Sequence, residues 1–378
     1  MKLIPSTSRR QFLKSGAAAI ASLPFAAFAQ VPTTVGFQLS WIKSMQYGGF
    51  FAGIENGFYK EQGIEPVFNS GGPGIDTVAN VAAGKSAMGD RPSAALIVAR
   101  DRGIPVKIIG SVFQKSPGSI MSPAAKPIRS IKELAGKTLA LPASARPLLN
   151  QMLKEAGVDA KTVNVVPVGT DPGILASGQV DAYYGYSTNQ GMMLRLRGVN
   201  LHVLNMTDAG APNLVGVLYA REDFLRDNRD ATVRWLRASI RSWDWALSNP
   251  EKTADLLVNK YGGPGLDRAQ QLAELKESTE FIRGPAAKNG LLWIDPAIIQ
   301  AEIEQMRSVG LIKSGLTAAE LCDQQYIVAA HKRVWGGGAF FTAKTPRPPS
   351  GGGALRAKRS NLYRHGDKAD CFASLAMT

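Results

Sequence analysis

The sequence has 378 residues with 45% apolar and 20% charged side chains, which is enough for two globular domains of ordinary size. Most of its net charge of +14 lies at the ends: residues 1–30 carry four basic residues and no acidic one, and residues 339–378 carry seven basic and two acidic ones. The mildly basic body therefore argues against nucleic-acid binding, which usually requires a concentrated basic patch. The two cysteines and three histidines have no spacing typical of a disulfide framework or a metal site, so we expect no metal and no cofactor.

The first predicted element is an export signal. Residues 8–14 combine a pair of arginines with Phe-Leu and a following lysine, which is typical of a twin-arginine signal. A mild apolar run follows, and Ala27 and Ala29 are the small residues that a signal peptidase reads. We therefore expect residues 1–29 to be removed and the protein to act in the periplasm. No later apolar run approaches the roughly 20 residues that a membrane span needs.

Residues 30–114 alternate short strands with helices and Gly-rich turns. Such alternation predicts a mainly parallel sheet covered by helices. Strands are expected at residues 31–37, 64–69, 87–89 and 106–113, and helices at residues 47–56, 75–83 and 93–102.

Residues 115–211 repeat this layout as a second unit. Strands are expected at residues 137–141, 163–168, 181–186 and 201–204, and helices at residues 131–134, 147–156 and 172–177. The sequence therefore predicts an α/β protein with two lobes.

Residues 212–338 are expected to return to the first lobe and to be mainly helical. A strand at residues 214–219 precedes helices at residues 230–248, 251–261, 267–280, 295–309 and 317–330. Trp235, Trp243 and Trp245 are predicted to be core residues of the first of these helices. Residues 339–378 are rich in Gly and Pro and lack periodicity, which predicts a disordered basic tail.

Six short motifs then follow one another in a characteristic order. They are Leu-Ser-Trp at 39–41, Gly-Phe-Phe-Ala-Gly at 49–53, Glu-Asn-Gly-Phe-Tyr-Lys-Glu-Gln-Gly-Ile at 55–64, Ala-Gly-Lys-Ser-Ala-Met-Gly at 83–89, Ile-Lys-Glu-Leu-Ala-Gly-Lys at 131–137 and Ser-Gly-Gln-Val-Asp-Ala at 177–182. Over about residues 31–335 the chain resembles periplasmic solute-binding proteins of ABC importers. The resemblance implies a two-lobed type II fold with a ligand cleft between the lobes, a small-molecule solute and a membrane permease as partner.

The branch that the chain resembles includes binding proteins for alkanesulfonates, taurine, nitrate and the pyrimidine precursor of thiamine. The Leu-Ser-Trp opening and the Gly-Gly-Pro loop resemble the thiamine-precursor group. That group has a Pro-Asn pair and then a histidine where this chain has Lys43, Ser44 and Tyr47. Fungal relatives that synthesise the pyrimidine use a histidine and a cysteine-rich motif. Neither has a counterpart here, so the resemblance predicts a binding protein rather than an enzyme.

In the first lobe, candidate ligand-binding residues follow the predicted strands. Trp41 faces the cleft in relatives, and we expect it either to stack on a flat ring or to be buried in the core. Tyr47 occupies a position that faces the ligand in relatives, and we expect a hydrogen bond from its hydroxyl. Ser44, in the same segment, is also a candidate ligand-binding residue.

Two further segments of the first lobe precede predicted helices. Gly72 and Pro73 lie in a tight loop whose glycines let backbone approach a ligand, although a plain turn is the alternative. Asp90 is expected to accept a ligand N–H and Arg91 to pair with an anion, unless the two form a solvated pair. Ser93 is expected either to cap its helix or to face the ligand.

In the second lobe, the candidates lie where ligands usually bind, at the carboxyl ends of strands. Ser144 and Arg146 begin a helix after one strand, and Tyr184, Tyr186 and Ser187 end the next. No serine, histidine and aspartate are arranged for nucleophilic catalysis, and we expect no catalytic residues.

The sequence thus predicts a monomeric binding protein that captures a small heteroaromatic solute, similar to the thiamine pyrimidine precursor, and delivers it to a permease. A sulfonate, taurine or nitrate is the alternative ligand class. An enzyme of the pyrimidine-synthase type is the alternative from another functional class, and a ligand-sensing subunit for a membrane receptor is a third possibility.

Overall fold

The computed structural model describes residues 31–169, 171–284 and 289–332, with the exception of the side chain of Ser144. The predicted signal at residues 1–29 and the predicted tail at residues 339–378 lie outside these ranges. Within them, we find no helix that combines the length and the apolar character needed to cross a membrane.

Two five-stranded β-sheets form the framework of the described residues. The strands are Thr33–Gln38 (β1), Ile64–Asn69 (β2), Met88–Arg91 (β3), Val106–Ser111 (β4), Gly118–Pro123 (β5), Thr138–Leu141 (β6), Asn164–Pro167 (β7), Ala182–Tyr186 (β8), Leu201–Asn205 (β9) and Val217–Arg221 (β10). The first sheet has the order β2-β1-β3-β10-β4 and the second the order β7-β6-β8-β5-β9. The two sheets therefore have the same layout, with three parallel strands followed by one that runs antiparallel to both of its neighbours.

The chain crosses between the two sheets twice. Residues 112–117 connect β4 to β5, and residues 206–216 connect β9 to β10. Buried apolar side chains form separate clusters around the two sheets, so each sheet has its own core. We call the half around the first sheet lobe 1 (residues 31–113, 214–284 and 289–332) and the half around the second sheet lobe 2 (residues 118–169 and 171–211).

Helices cover both sheets, and those after β10 pack on lobe 1. Their bounds are Gly48–Glu55 (α1), Phe58–Glu61 (α2), Thr77–Ala82 (α3), Ser93–Asp101 (α4), Arg146–Glu155 (α5), Gly173–Ala176 (α6), Gln190–Leu196 (α7), Glu222–Asp227 (α8), Arg229–Ser248 (α9), Pro250–Leu256 (α10), Arg268–Arg283 (α11), Pro296–Ser308 (α12), Ala318–Leu321 (α13) and Gln325–His331 (α14).

The Gly-aromatic-aromatic motif of α1 is explained by its packing against α9. A Cβ atom on Gly49 would lie 2.1 Å from the ring of Trp243, so a larger residue cannot fit between the two helices. Phe50, next in sequence, packs edge-on against Trp243 with ring centroids 5.6 Å apart and also contacts Trp235. The motif is therefore a core feature of lobe 1.

Most predicted elements are confirmed, but the sheets are mixed rather than mainly parallel. Strand β5 has no counterpart in the predicted elements, because five of its six residues are buried and its sequence shows no apolar–polar alternation. It is held between β8 and β9 by antiparallel pairing on both sides. Strands β5 and β10 each follow a crossing between the sheets, and these two strands run antiparallel.

Two predictions in the helical region are corrected. The single helix predicted at residues 317–330 is interrupted at Cys322, whose extended backbone lets the N–H of Asp323 donate to the carbonyl of Ile108 at 2.8 Å. Trp235 and Trp243 are fully buried as predicted, whereas Trp245 is only half-buried.

Candidate functional site

A cleft lies between the two lobes, and both lobes contribute to its wall. The space between the lining atoms is about 780 Å³, including the part that is open to solvent. The lining residues from lobe 1 and the second crossing are Ser40, Trp41, Gln46, Arg91, Pro92, Ala94, Asn213 and Val215. Those from lobe 2 are Pro142, Ala145, Leu148, Val168, Tyr183, Tyr184, Gly185, Tyr186 and Gln190.

The strand topology explains why these residues meet. Ser40 and Trp41 follow the carboxyl end of β1, and Arg91 ends β3. Pro142 follows β6 in lobe 2, and Tyr186 ends β8. Because parallel strands present their carboxyl ends along one edge of a sheet, the cleft joins the two edges at which open α/β sheets bind ligands.

A chain of hydrogen bonds holds the Trp41 segment in place. The backbone N–H of Trp41 donates to the Tyr47 hydroxyl at 2.9 Å, and that hydroxyl lies 3.0 Å from Ser40 Oγ. Ser40 in turn donates from Oγ to Asp90 Oδ2 at 2.6 Å and from its backbone N–H to Asp90 Oδ1 at 2.8 Å. Trp41 is thus positioned from behind by three buried or half-buried polar groups.

Burial controls the protonation of this group. Burial raises the pKa of Asp90 to about 6, and the hydrogen bonds from Ser40 act in the opposite direction. Burial also raises the pKa of Tyr47 well above its ordinary value, so its hydroxyl stays protonated. Both oxygens of Asp90 are occupied by Ser40, so the carboxylate supports the wall rather than facing the cleft.

Arg91 contributes the charge of the lobe 1 wall. Its Nε is buried and has no hydrogen-bond partner among the described residues. A buried guanidinium nitrogen without a partner carries a desolvation cost that a bound acceptor would offset. The position is therefore prepared for an anion or another strong acceptor.

Three tyrosines form much of the lobe 2 wall. Burial raises the pKa of Tyr183 to about 12 and raises those of Tyr184 and Tyr186 further, so all three hydroxyls remain protonated at neutral pH. Gln190 Oε1 accepts from the backbone N–H of Tyr186 at 2.9 Å and thereby links the strand end to helix α7. The wall offers aromatic surface and neutral hydroxyl donors.

Trp41, Arg91, Tyr184 and Tyr186 are thus the predicted site residues that the structure places at the cleft. The others lie elsewhere. Gly72 and Pro73 do not line the cleft, and the neighbouring Gly71 is pressed against the segment before Trp41, where a Cβ would lie 2.3 Å from the carbonyl oxygen of Leu39. The Gly-rich loop therefore supports the Trp41 segment through close backbone packing.

The remaining candidates serve local structure or lie at the surface. Ser93 does not cap its helix; its hydroxyl donates to the carbonyl of Leu214 at 3.1 Å and accepts from the Leu214 N–H. Ser187 is bonded to the carbonyl of Pro117 in the first crossing. Ser44 is buried away from the cleft and Arg146 is exposed. The side chain of Ser144 lies outside the described part of the chain.

Sequence reasoning missed several lining residues. Ser40 and Gln46 flank or follow predicted candidates, and Gln190 lies one helical turn after Tyr186, so a wider window around each strand end would have included them. Asn213 has no such local signal, because it lies in the second crossing. Among the described residues, no group of three or more His, Cys, Asp or Glu side chains is placed to hold a metal ion.

Comparison with known sequences places these features in a family. A family model described as NMT1/THI5 like matches residues 44–253. The riboflavin-binding protein RibY of Chloroflexus aurantiacus is 25% identical over 301 residues, which cover 78% of this chain and 86% of that protein. The formylaminopyrimidine-binding protein of Halalkalibacterium halodurans is 25% identical over 262 residues, which cover 67% of this chain and 79% of that protein.

Solved structures share the fold at lower identity. The periplasmic aliphatic sulphonate binding protein SsuA of Escherichia coli has a TM-score of 0.59 at 15% identity and covers 76% of this chain and 97% of its own. The periplasmic nitrate-binding protein NrtA of Synechocystis PCC 6803 has a TM-score of 0.62 at 13% identity, covering 79% and 88%. The desulfurization enzyme DSZB has a TM-score of 0.54 at 15% identity, covering 79% and 98%. The fold is therefore the two-lobed α/β fold of periplasmic binding proteins. Since the family model spans more than half of the sequence, the chain belongs to the NMT1/THI5-like family.

Proposed function

We propose that this protein is the substrate-binding component of an ABC importer, which captures a small heteroaromatic solute in the periplasm and delivers it to a membrane permease. The observation that carries this proposal is the cleft between the lobes, because residues from both lobes line it. A solute bound there contacts both lobes at once and stabilises their closed arrangement.

The aromatic wall supports a flat solute. Trp41 on lobe 1 and Tyr183, Tyr184 and Tyr186 on lobe 2 line the same cleft, and flat rings pack well against such side chains. Two relatives are named for binding riboflavin and formylaminopyrimidine, both of which are heteroaromatic. We propose that Trp41, Arg91, Tyr184 and Tyr186 contact the solute directly, while Asp90 and Tyr47 act by positioning Trp41.

The contacts between the lobes support binding by closure. Arg195 on α7 of lobe 2 pairs with Glu277 on α11 of lobe 1 at 2.8 Å, and the side-chain amide of Asn189 donates to the buried carboxyl group of Glu274. Apart from such contacts, the chain connects the lobes at two crossings, residues 112–117 and 206–216, where rotation is easiest.

The alternatives lead to different experimental results. A sulfonate, taurine or nitrate would use Arg91 without needing the aromatic wall. A pyrimidine-synthase type of enzyme would release a pyrimidine product, and DSZB shows that the fold supports an enzyme.

We propose binding rather than catalysis because the tyrosines of the cleft are protonated by burial and Asp90 is occupied by Ser40. We also propose that the protein is a monomer exported by the twin-arginine pathway.

A thermal-shift screen of the purified protein tests the function. The panel contains pyrimidines, thiamine, riboflavin, aromatic acids, sulfonates, taurine and nitrate. A solute that binds only the folded state stabilises it by about 2.7 kcal/mol at a hundredfold excess over its dissociation constant. We expect a heteroaromatic compound to raise the melting temperature.

Two tryptophan variants locate the binding site in that screen. Trp41→Ala should abolish the shift, whereas Trp245→Ala, which removes a half-buried tryptophan of α9 outside the cleft, should preserve it. A shift that survives Trp41→Ala would place the solute elsewhere, and turnover of any panel compound would favour the enzyme.

A further inference from the structure

The charge at the cleft comes from one side chain. Among the described residues that line the cleft, Arg91 is the only charged one, and its buried Nε has no hydrogen-bond partner within those residues. The neighbouring Asp90 is directed away, since both of its oxygens accept hydrogen bonds from Ser40. A solute at this position therefore meets the Arg91 cation, while the carboxyl group that interacts with its charge, Asp90, lies outside the cleft lining and is bonded to Ser40.

A second lining residue has an unused acceptor. Asn213 is only 4% exposed, and its Nδ2 donates to the carbonyl of Ala211 at 3.0 Å. This bond fixes the orientation of the amide, because the reverse orientation would bring two oxygens together. Oδ1 then has no partner among the described residues and can accept a hydrogen bond from a solute.

The two unused groups lie on neighbouring segments. The backbone N–H of Ser93 donates to the carbonyl of Leu214 at 2.9 Å, and the N–H of Leu214 donates to Ser93 Oγ, also at 2.9 Å. Arg91 and Asn213 are within two residues of these bonds and both line the cleft. The two side chains therefore lie on neighbouring parts of the same wall.

The rest of the wall favours a flat molecule with a single negative charge. The tyrosine hydroxyls are kept protonated by burial, so they do not compete for Arg91. Helix α4 of lobe 1 and helix α5 of lobe 2 both begin at the cleft, and neither Pro92 nor Ala145 at their N-cap positions supplies a capping side chain. Helix N-termini favour a negative charge nearby.

We infer that the solute is an aromatic or heteroaromatic acid, deprotonated at neutral pH, whose acid group pairs with Arg91 and whose N–H or O–H donates to Asn213. The inference rests on the proposed function and narrows its ligand class. A neutral heteroaromatic compound offers no negative charge to the half-buried Arg91, and an acid without a donor leaves Asn213 Oδ1 unpaired. Both are expected to bind more weakly.

Matched compounds separate these contributions in isothermal titration calorimetry of the purified protein at pH 7.5. The compounds are 2-aminobenzoate, its neutral amide 2-aminobenzamide, benzoate, which lacks the amine donor, orotate, its neutral ring analogue uracil, methanesulfonate and nitrate. We expect at least one of 2-aminobenzoate and orotate to bind, at least tenfold more tightly than its neutral partner. Benzoate should bind more weakly than 2-aminobenzoate.

Variants of Arg91 and Asn213 test whether these two residues cause the preference for an acid and for a hydrogen-bond donor. Arg91→Gln should remove the preference for the acid, Arg91→Lys should retain part of it, and Asn213→Leu should remove the advantage of 2-aminobenzoate over benzoate. Arg102→Gln is the matched control, because it removes the same charge from an exposed position at the end of α4. The wild-type comparisons remain decisive if Arg91→Gln does not fold.

Each of the other outcomes overturns the inference. Equal binding of uracil and orotate, or of the amide and the acid, overturns it and leaves the proposed function intact. Binding of methanesulfonate or nitrate without the aromatic acids overturns it and supports the alternative ligand class. No binding by any compound also overturns it, while the broader thermal-shift panel decides the proposed function separately.

Discussion

The two walls of the cleft are built in different ways. On the lobe 1 side, Trp41 is held by a chain of hydrogen bonds through Tyr47, Ser40 and Asp90. On the lobe 2 side, the hydroxyls of Tyr184 and Tyr186 make no hydrogen bond among the described residues, so they are available to a solute. We propose from this difference that lobe 1 presents a preformed surface with the charge, and that lobe 2 supplies hydroxyl donors to the solute when the lobes close.

The largest expected effect on stability comes from a buried carboxyl group outside the cleft lining, that of Glu302. Glu302 on α12 is fully buried, and the nearby hydroxyl of Ser93 is the group in the described ranges that lowers its pKa. Burial raises the pKa of Glu302 to about 8. The folded state keeps the proton at pH values where the unfolded state has lost it, so the free energy of unfolding falls as the pH rises from about 4.5 to 8.

Glu302→Gln should remove this part of the pH dependence. From the shift in pKa we expect the stability difference between pH 5 and pH 8 to shrink by about 3 kcal/mol, measured by urea denaturation. The exposed Glu304→Gln on the same helix is the control and should leave the pH profile unchanged. Burial also raises the pKa of Glu274 to about 8, and the contribution of Glu274 to the pH dependence of stability remains in both variants. Identical profiles for wild type and Glu302→Gln would contradict the assignment.

The next effect tests whether the lobe 1 wall is preformed. Asp90→Ala removes the acceptor of two hydrogen bonds from Ser40 and leaves the partly buried N–H of Ser40 unpaired, which should cost about 2–3 kcal/mol of stability. Asp76→Ala removes one capping bond at the exposed start of α3 and should cost about 1 kcal/mol. Denaturant titration of both variants without ligand measures the difference, and equal losses would argue against a preformed wall.

Removing one tyrosine hydroxyl from each wall compares the contributions of the two walls to stability and to solute affinity. Tyr47→Phe leaves the Trp41 N–H without an acceptor and should lower stability by about 1 kcal/mol. Tyr184→Phe should leave the stability of the free protein within about 0.5 kcal/mol, because no described group depends on its hydroxyl. It should instead weaken the binding of any solute identified in the thermal-shift screen, as measured by calorimetry. If both variants lost stability and kept their affinity for the solute, the interpretation that lobe 1 is preformed and lobe 2 supplies free donors would be contradicted.

The smallest effect concerns the contact between the lobes. Glu277→Gln weakens the ion pair with Arg195 and should change stability by less than about 1 kcal/mol, because the pair is partly exposed. Since the pair joins α7 of lobe 2 to α11 of lobe 1, the change should also lower solute affinity by a few-fold. Glu251→Gln breaks a pair with Lys276 inside lobe 1 and should leave affinity unchanged. Equal affinities for both variants would show that the Arg195 pair does not assist closure.

The sequence predicted much of the architecture because local periodicity reports burial. The strand at residues 64–69 was located to the residue, and Trp235 and Trp243 were identified as core from their helical spacing. Strand β5 and the interruption at Cys322 are set by pairing with strands far away in the chain, which no local pattern records.

The candidate site likewise has residues that the sequence predicted and residues whose role only the tertiary structure shows. Placing binding residues at the carboxyl ends of strands led to Trp41, Arg91, Tyr184 and Tyr186, all of which line the cleft. The same reasoning also selected Ser93 and Ser187, whose hydroxyls the fold uses to join segments about 120 and 70 residues apart. Hydroxyl side chains bond to backbone as readily as to a ligand, so residue type and position alone do not separate the two roles.

By itself, then, the sequence determined the family, the two α/β units and the strand ends that line the cleft, since these follow from motif order and local alternation. Only the tertiary structure decided which polar side chains at the cleft are left without a partner. Asn213 reaches the cleft because the second crossing runs beside Ser93, and Asp90 leaves it because Ser40 occupies both of its oxygens. Availability of a polar group depends on whether the fold has already satisfied it, and that depends on partners distant in sequence.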